Sequence, residues 1–411
     1  MKVLVVTQYF YPENFRINDL IKGLCEEGHE VTVLTGKPNY PKGELYQNYK
    51  LLGKVKEIYY GATVIRTPII PRKQSATWLA LNYISFPIFC ILYNLKFLLF
   101  NKFDRVLVCQ LSPIFMAFPA MFYRFIHKTP SVIWITDLWP ESLRATGTIR
   151  NSNIINTVGK IVNYIYSNFD LILMSCKGFE DDVKHRAPQT QKSFFPYWAE
   201  DLYKPLHIKD EVSPDYKELM DKNKRILTFA GNIGEAQSLT TLIYAIDKLS
   251  AEEQNSLKVL IAGEGRAKEE VTKLVNKLEI KCVKFLGGKP VIDMPHLFAI
   301  SDALYISLKT SPIFTITIPS KTQSYMACAK PIIASIDGET STIIQDAKCG
   351  FVSESENIDA LTLNLKKLIS LSTNKLDEMG EASYYYYKKN FNRHISLKKI
   401  CRHLQETSYT G

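Results

Sequence analysis

Short runs of apolar, β-branched residues alternate along this chain with longer stretches whose apolar positions recur at helical spacing. In the first half, residues 3–7, 31–35, 63–67, 105–109, 131–136 and 171–174 read as strands, and 14–27 as an amphipathic helix ending near Gly28. The pattern restarts after Lys192, with strands over 226–230, 258–262, 283–286, 303–306, 331–334 and 350–352. Apolar runs of this length separated by helices indicate parallel sheets covered on both faces, and the right-handed crossover rule makes each half doubly wound. The expected fold class is therefore α/β, with a first domain over 1–195, a second over 196–375 and a helical Tyr- and Lys-rich tail over 376–411. Ligands of such sheets bind beyond the carboxyl ends of the strands, so two domains in tandem suit a two-substrate reaction in a central cleft.

One stretch breaks the alternation. From Gln74 to Leu95 there is no charged residue, and the apolar run continues past Lys96 to Phe100. Its length reaches that of a bilayer span, but Asn82, Pro87 and Asn94 interrupt it. The segment 74–100 reads as membrane-associating and dipping into a lipid face, with a buried helix and a true span as alternatives.

Composition adds bounds. The chain has 411 residues, 46% of them hydrophobic, which excludes disorder and supplies two sizeable cores. Net charge is +10, which leaves nucleic acid, an anionic membrane or a phosphorylated substrate as partners. The basic residues are dispersed and no recognition motif occurs, so nucleic acid ranks last. Eight scattered cysteines without a CxxC pair read as reduced thiols, and the amino terminus lacks a leader pattern, so a cytoplasmic location is expected. Neither HExxH, DxD nor an EF-hand pattern is present, so no metal and no cofactor is expected.

Four segments carry candidate chemistry in the second half, each just beyond a strand. FAGNIGE at 229–235 offers Gly231 and Asn232 at a strand-to-helix turn. IAGEGR at 261–266 offers Gly265 and Arg266, whose guanidinium suits a diphosphate. LGGKP at 286–290 offers Gly287. Glycines there permit close backbone approach and helix starts favour anions, although ordinary turns read the same way. In IPSKTQSYMACAKP, Ser320 is a plausible helix cap and Lys321 falls in the first turn, where a cation opposes the helix dipole. An anionic ligand relieves that conflict, which makes Lys321 the leading phosphate contact. In the first half, TDLWPES places Asp137 beyond a buried strand as a base or acceptor-orienting group, with Glu141 second. Glu13 and Arg16, in the long turn after the first strand, face the presumed cleft or pair with each other.

Taken together, QYFYPENFRINDLIKGLCEEGHEVTVLTGKPNYPKG, TDLWPES, FAGNIGEAQSL and PSKTQSYMACAKPIIASIDGET resemble family 4 glycosyltransferases of GT-B fold over essentially the whole chain, with the closest likeness to bacterial O-antigen and capsule enzymes such as L-fucosamine transferases. The resemblance implies two facing Rossmann-like domains. The first would bind the acceptor through Glu13 and Arg16. The second would bind a nucleotide-sugar, UDP-linked as the resemblance implies, through Gly231, Asn232, Gly265, Arg266, Gly287, Ser320, Lys321 and Ser324, and the tail would cross back onto the first. It implies retaining transfer of a sugar such as N-acetyl-L-fucosamine to a polyprenyl-diphosphate-linked saccharide at the cytoplasmic face of the inner membrane, by a peripheral or monotopic enzyme on an anionic surface. The sequence departs from the family where a Glu-x7-Glu pair is usual: Ile316 and Ser324 stand there. Asn232 and Gln237 stand near the usual Arg and Lys of the phosphate loop. A same-fold nucleotide-sugar epimerase and a non-catalytic membrane-bound partner subunit are the competing readings.

Overall fold

The computed structural model describes residues 1–73, 75–145, 151–208 and 211–411. The chain divides into two compact units, Met1–Pro196 with His394–Gly411, and Tyr197–Arg393.

The first unit is built on an eight-stranded sheet in the order β3-β4-β2-β1-β5-β6-β7-β8. Its strands are β1 (Lys2–Val6), β2 (Glu30–Gly36), β3 (Val55–Tyr59), β4 (Ala62–Thr67), β5 (Arg105–Gln110), β6 (Ser131–Ile135), β7 (Leu171–Met174) and β8 (Gln191–Phe194). All neighbours run parallel except β3, which pairs antiparallel with β4 at the edge. The central strands are buried on both faces, which is why they read as unbroken apolar runs. VKEIY in β3 alternates half-buried and exposed positions and carries Lys56 and Glu57, so its pattern is too polar to announce a strand. The order reverses between β1 and β5, which puts the switch point at the loops after those two strands.

Helix α1 (Arg16–Glu26) follows β1. Helix α2 (Ala76–Tyr93) and the short α3 (Leu95–Phe100) occupy the uncharged stretch; Gln74, its first residue, lies outside the described residues. No described helix is long and apolar enough to cross a membrane. Instead α2 is tied to the sheet by its polar side chains. Asn82 Oδ1 accepts from Gln8 Nε2 at 2.7 Å and from Tyr9 Oη at 3.3 Å, and Asn82 Nδ2 donates to the Ile70 carbonyl at 2.6 Å. Ser85 Oγ accepts from the Ile70 amide at 3.0 Å. The opposite face shows Leu81, Ile84, Ile88 and Leu92 to the outside. Asn82 and Ser85 thus turn inward beside the buried Phe86 and Cys90, and large apolar side chains face outward as well. Helices α4 (Phe118–His127), α5 (Glu141–Ala145) and α6 (Ser152–Ser167) complete the elements used below.

The second unit has six parallel strands in the order β11-β10-β9-β12-β13-β14. They are β9 (Arg225–Ala230), β10 (Leu257–Ala262), β11 (Val283–Gly287), β12 (Ala303–Ser307), β13 (Ile332–Ser335) and β14 (Gly350–Ser353). Here the order reverses between β9 and β12.

The tail divides between the units, whereas the sequence expectation took all of 376–411 together. The helix Thr373–Asn390 belongs to the second unit, where a Cβ on Gly380 would lie 2.3 Å from the Ala329 carbonyl oxygen; only a glycine lets the backbones meet so closely. The last helix, Arg393–Glu406, packs Leu397 where a Cβ on Gly23 of α1 would stand. Arg105 donates to the Leu404 and Gln405 carbonyls, which fixes this helix to the first unit.

Replacing Asn82→Ala strands the Gln8 amide and the Ile70 carbonyl in a buried site. A loss of roughly 1–3 kcal/mol is expected for such an unsatisfied pair, read as a lower midpoint in urea unfolding of the full chain.

Candidate functional site

The glycine loops of the second unit extend its sheet as backbone ribbons. The Gly231 amide donates to the Ala262 carbonyl at 2.9 Å, and the Gly263 amide to Gly287 at 2.8 Å. Ile233 N donates to Glu264 O at 2.8 Å, and Ala267 N returns to Ile233 O at 3.0 Å. A Cβ on Gly263 would fall 1.8 Å from Gly231 O, and one on Gly265 would fall 2.2 Å from Ile233 O. Both residues also hold left-handed φ, +153° and +157°. Glycine at 265 is therefore required by its neighbour's backbone. Gly287 is bonded into the same ribbon. Asn232 is exposed and lies 3.4 Å from Gln237 Oε1, which also accepts from the Gly234 amide at 3.0 Å. Gln237 holds the turn.

Gly231 differs from the other two. A Cβ there would stand 3.1 Å from Lys321 Nζ. Lys321 opens the short helix Lys321–Ala327 that follows β12. Its Nζ sits 4.0 Å from the centroid of the Phe229 ring and is buried without a hydrogen-bond partner. Burial pushes its pKa down to about 7. Four residues along the same helix face, Tyr325 Oη accepts from the Ala230 amide at 3.1 Å and donates to the Ala230 carbonyl at 3.2 Å. Tyr325 thus pins this helix to the end of β9 and sets Lys321 under the loop; the i,i+4 spacing was the only sequence trace of that role.

The remaining second-unit candidates are placed otherwise. Ser320 precedes the helix but makes no side-chain cap, contrary to expectation. Ser324 is buried and its hydroxyl turns back to the Ser320 carbonyl at 3.5 Å. Arg266 is exposed beside an open polar recess of about 460 Å³, shared with Lys268, Thr272 and Lys273.

In the first unit, Asp137 lies just beyond β6. Its Oδ2 accepts from Trp139 Nε1 at 3.1 Å, and the same N–H also reaches Ser112 Oγ at 3.2 Å. Gln110 Nε2 holds the Asp137 carbonyl at 2.9 Å. Burial raises the Asp137 pKa, while hydrogen bonds from Ser142, Trp139 and Ser112 act against that rise. This is a positioned carboxylate on a rigid shell, and Ser112, Gln110 and Trp139 were not singled out from sequence. Glu141 is not comparable. Its carboxylate pairs with Arg186 at 3.2 Å and Arg144 at 3.5 Å, ties that hold α5. Glu13 is 2% exposed, and its oxygens accept from the amides of Phe10 (3.2 Å), Asn39 (2.8 Å) and Tyr40 (2.7 Å). Burial pushes that carboxyl up to about 7, against these amides, which favour the charged form. Glu13 thus ties the loop after β1 to the loop after β2. Arg16 is half-buried at the start of α1.

Residues 215–385, all within the second unit, match the model for glycosyl transferases group 1. The chain is a glycosyltransferase carrying a group 1 domain. Among relatives, this glycosyltransferase is 25% identical over 294 residues to WbjE of Pseudomonas aeruginosa, a glycosyltransferase by assignment, covering 70% of each chain. It is 23% identical over 390 residues to the Escherichia coli (strain K12) protein WcaI, assigned to colanic acid biosynthesis as a glycosyl transferase, covering 90% of this chain and 93% of that one. Among solved structures, HepE of Anabaena, determined with UDP and glucose, superposes with a TM-score of 0.68 at 14% identity over 99% of this chain and 100% of that one. The fold is that of the GT-B glycosyltransferases, with a Rossmann-like sheet in each unit.

Gly263→Ala is expected to displace the Gly231 loop, lowering the second unit's stability by about 1–3 kcal/mol and its thermal midpoint by several degrees. Gly288→Ala, whose Cβ would meet only the flexible Glu264 side chain at 3.3 Å, should change the midpoint little.

Proposed function

We propose that this glycosyltransferase moves a sugar, of the N-acetyl-L-fucosamine type, from a nucleoside-diphosphate donor to a polyprenyl-diphosphate-linked saccharide with retention of configuration, in O-antigen or capsule synthesis. The observation that carries the donor half is Lys321: a buried ammonium with no hydrogen-bond partner, set beneath a glycine loop at the switch point of the second sheet. UDP in HepE supports a uridine diphosphate, and the colanic acid assignment of WcaI supports a polysaccharide product. The bond between the anomeric carbon and the β-phosphate oxygen breaks, the acceptor oxygen bonds to that carbon, and the hydroxyl proton leaves with the departing phosphate. Lys321 meets the charge that grows on the diphosphate, which is where stabilisation most accelerates transfer. Asp137 orients the acceptor hydroxyl. Lys321 fills the role a divalent metal would otherwise take, so turnover should persist in EDTA. The outward apolar face of α2 supports peripheral attachment to an anionic bilayer at its cytoplasmic side.

Two measurements test this reading. Lys321→Met should weaken UDP binding at least tenfold in calorimetry, and Asp137→Asn should cut kcat by about 10²–10⁴ with UDP affinity unchanged. A bound diphosphate raises the Lys321 pKa, so binding draws in a proton above the free-state value of about 7. Affinity should then fall up to about tenfold per pH unit above 7. Titration at pH 8 in buffers of differing ionisation enthalpy should show that uptake; zero uptake, or normal UDP binding by Lys321→Met, would remove Lys321 from the donor site.

A further inference from the structure

The first unit contains a cavity of about 870 Å³ that the donor chemistry leaves unused. Its walls include Ile84, Ile88 and Ile91 of α2, Phe118 and Phe122 of α4, and Ile161 of α6. Such a volume, concave and almost wholly apolar, suits an organic ligand. The one charged residue in the wall is Arg124, and its charge is met by Asp170 at 2.9 Å while its guanidinium lies 4.5 Å from the Tyr409 ring. The interior thus offers hydrocarbon contact and no free charge.

The rim offers the opposite. Helices α2, α3, α4 and α6 contain no Asp or Glu at all, and besides the paired Arg124 they carry Lys96 and Lys160. Lys128 follows α4 directly. Phe125 on α4 and Tyr164 on α6 stand at the mouth, 82% and 60% exposed. An apolar hollow with aromatic residues at its mouth, built from helices whose unpaired charges are cations, complements a lipid whose headgroup is anionic.

The wall of the cavity packs against the residue that holds Asp137. Phe115 in its wall stacks edge-on against Trp139 with centroids 5.7 Å apart, and Trp139 Nε1 holds Asp137 Oδ2 at 3.1 Å. Tyr83, beside Ile84 on α2, meets the same Trp139 ring at 5.8 Å. Contact with bulk bilayer requires no such proximity to Asp137. A single molecule that joins a hydrocarbon chain to a sugar hydroxyl does.

We infer that this cavity receives the first isoprene units of the polyprenyl chain of the acceptor, so that α2, α4 and α6 position the acceptor as well as attach the enzyme to the membrane. The inference rests on the lipid-linked acceptor of the proposed function. Its test is separable from turnover: geranylgeranyl diphosphate is titrated onto the full chain, with inorganic diphosphate and phosphatidylglycerol vesicles as comparisons. Wild type should bind geranylgeranyl diphosphate at least tenfold more tightly than inorganic diphosphate. Met121→Trp, which fills the cavity from α4, should abolish that preference while UDP affinity stays unchanged. Ile88→Glu, at a half-exposed position on the wall, should do the same and serves if Met121→Trp is misfolded by circular dichroism. Equal affinity for both diphosphates, or an unchanged preference in both variants, overturns the cavity. So does displacement of the prenyl ligand by vesicles at equal lipid concentration, since the site would then be a bilayer contact. Prenyl binding without sugar transfer to any prenyl-linked acceptor leaves the cavity standing and removes the acceptor reading. Transfer to such an acceptor that Met121→Trp leaves unimpaired does the reverse.

Discussion

The dehydration of one ammonium governs the donor-side architecture. Lys321 Nζ has lost its water without gaining a hydrogen bond, keeping only the face of Phe229. A cation over an aromatic ring recovers part of its hydration energy and leaves the rest as a standing demand for an anion. That state exists only because three other features enforce it. Tyr325 locks the helix to Ala230, the ribbons after β9 and β10 fix the loop above, and Gly231 leaves no side chain where the amine must lie. Each of these is a backbone or packing constraint, so the site is rigid before any ligand arrives, the condition under which electrostatic stabilisation is most effective.

The first unit solves a different problem with a helix that is apolar on its outer face as well. An apolar helix facing outward gains nothing from water, and α2 is kept from collapsing inward by Asn82 and Ser85, whose hydrogen bonds can be made only on the sheet side. These polar ties fix the rotation of α2 about its axis. They thereby decide that Ile84, Ile88 and Leu92 face away from the sheet. Exposed apolar surface on this scale marks an interaction face, and the lack of any acidic side chain on the neighbouring helices gives that face a sign.

How much of this was legible in the sequence followed from burial. Strands buried on both faces announced themselves to within a residue or so; β3, half wet at an edge, and β8, short and carrying Gln191, Lys192 and Ser193, did not. Lys321 stood out because a cation in a first turn violates a local electrostatic rule, and such violations need a cause. Glycine at 265 carries the same signature whether a ligand or a neighbouring loop does the approaching, and the structure shows the loop. Glu13 and Glu141 share that ambiguity. A carboxylate beyond a strand end looks alike from the sequence whether its oxygens meet amides and guanidinium groups or a substrate, and only partner distances separate the cases.

The absence of the family's two acids at Ile316 and Ser324 acquires a physical sense from the same geometry. A carboxylate at Ser324 would sit one helical turn from Lys321, within reach of an ion pair that would hold the ammonium charged and satisfied. Replacing it by a serine whose hydroxyl turns back to the Ser320 carbonyl leaves the amine unpaired and its pKa near the working pH. A lysine paired internally must give up a partner before it can grip phosphate, whereas this one has none to give up. The serine thus leaves Lys321 with the face of Phe229 alone at 4.0 Å, the arrangement that the proposed diphosphate contact calls for.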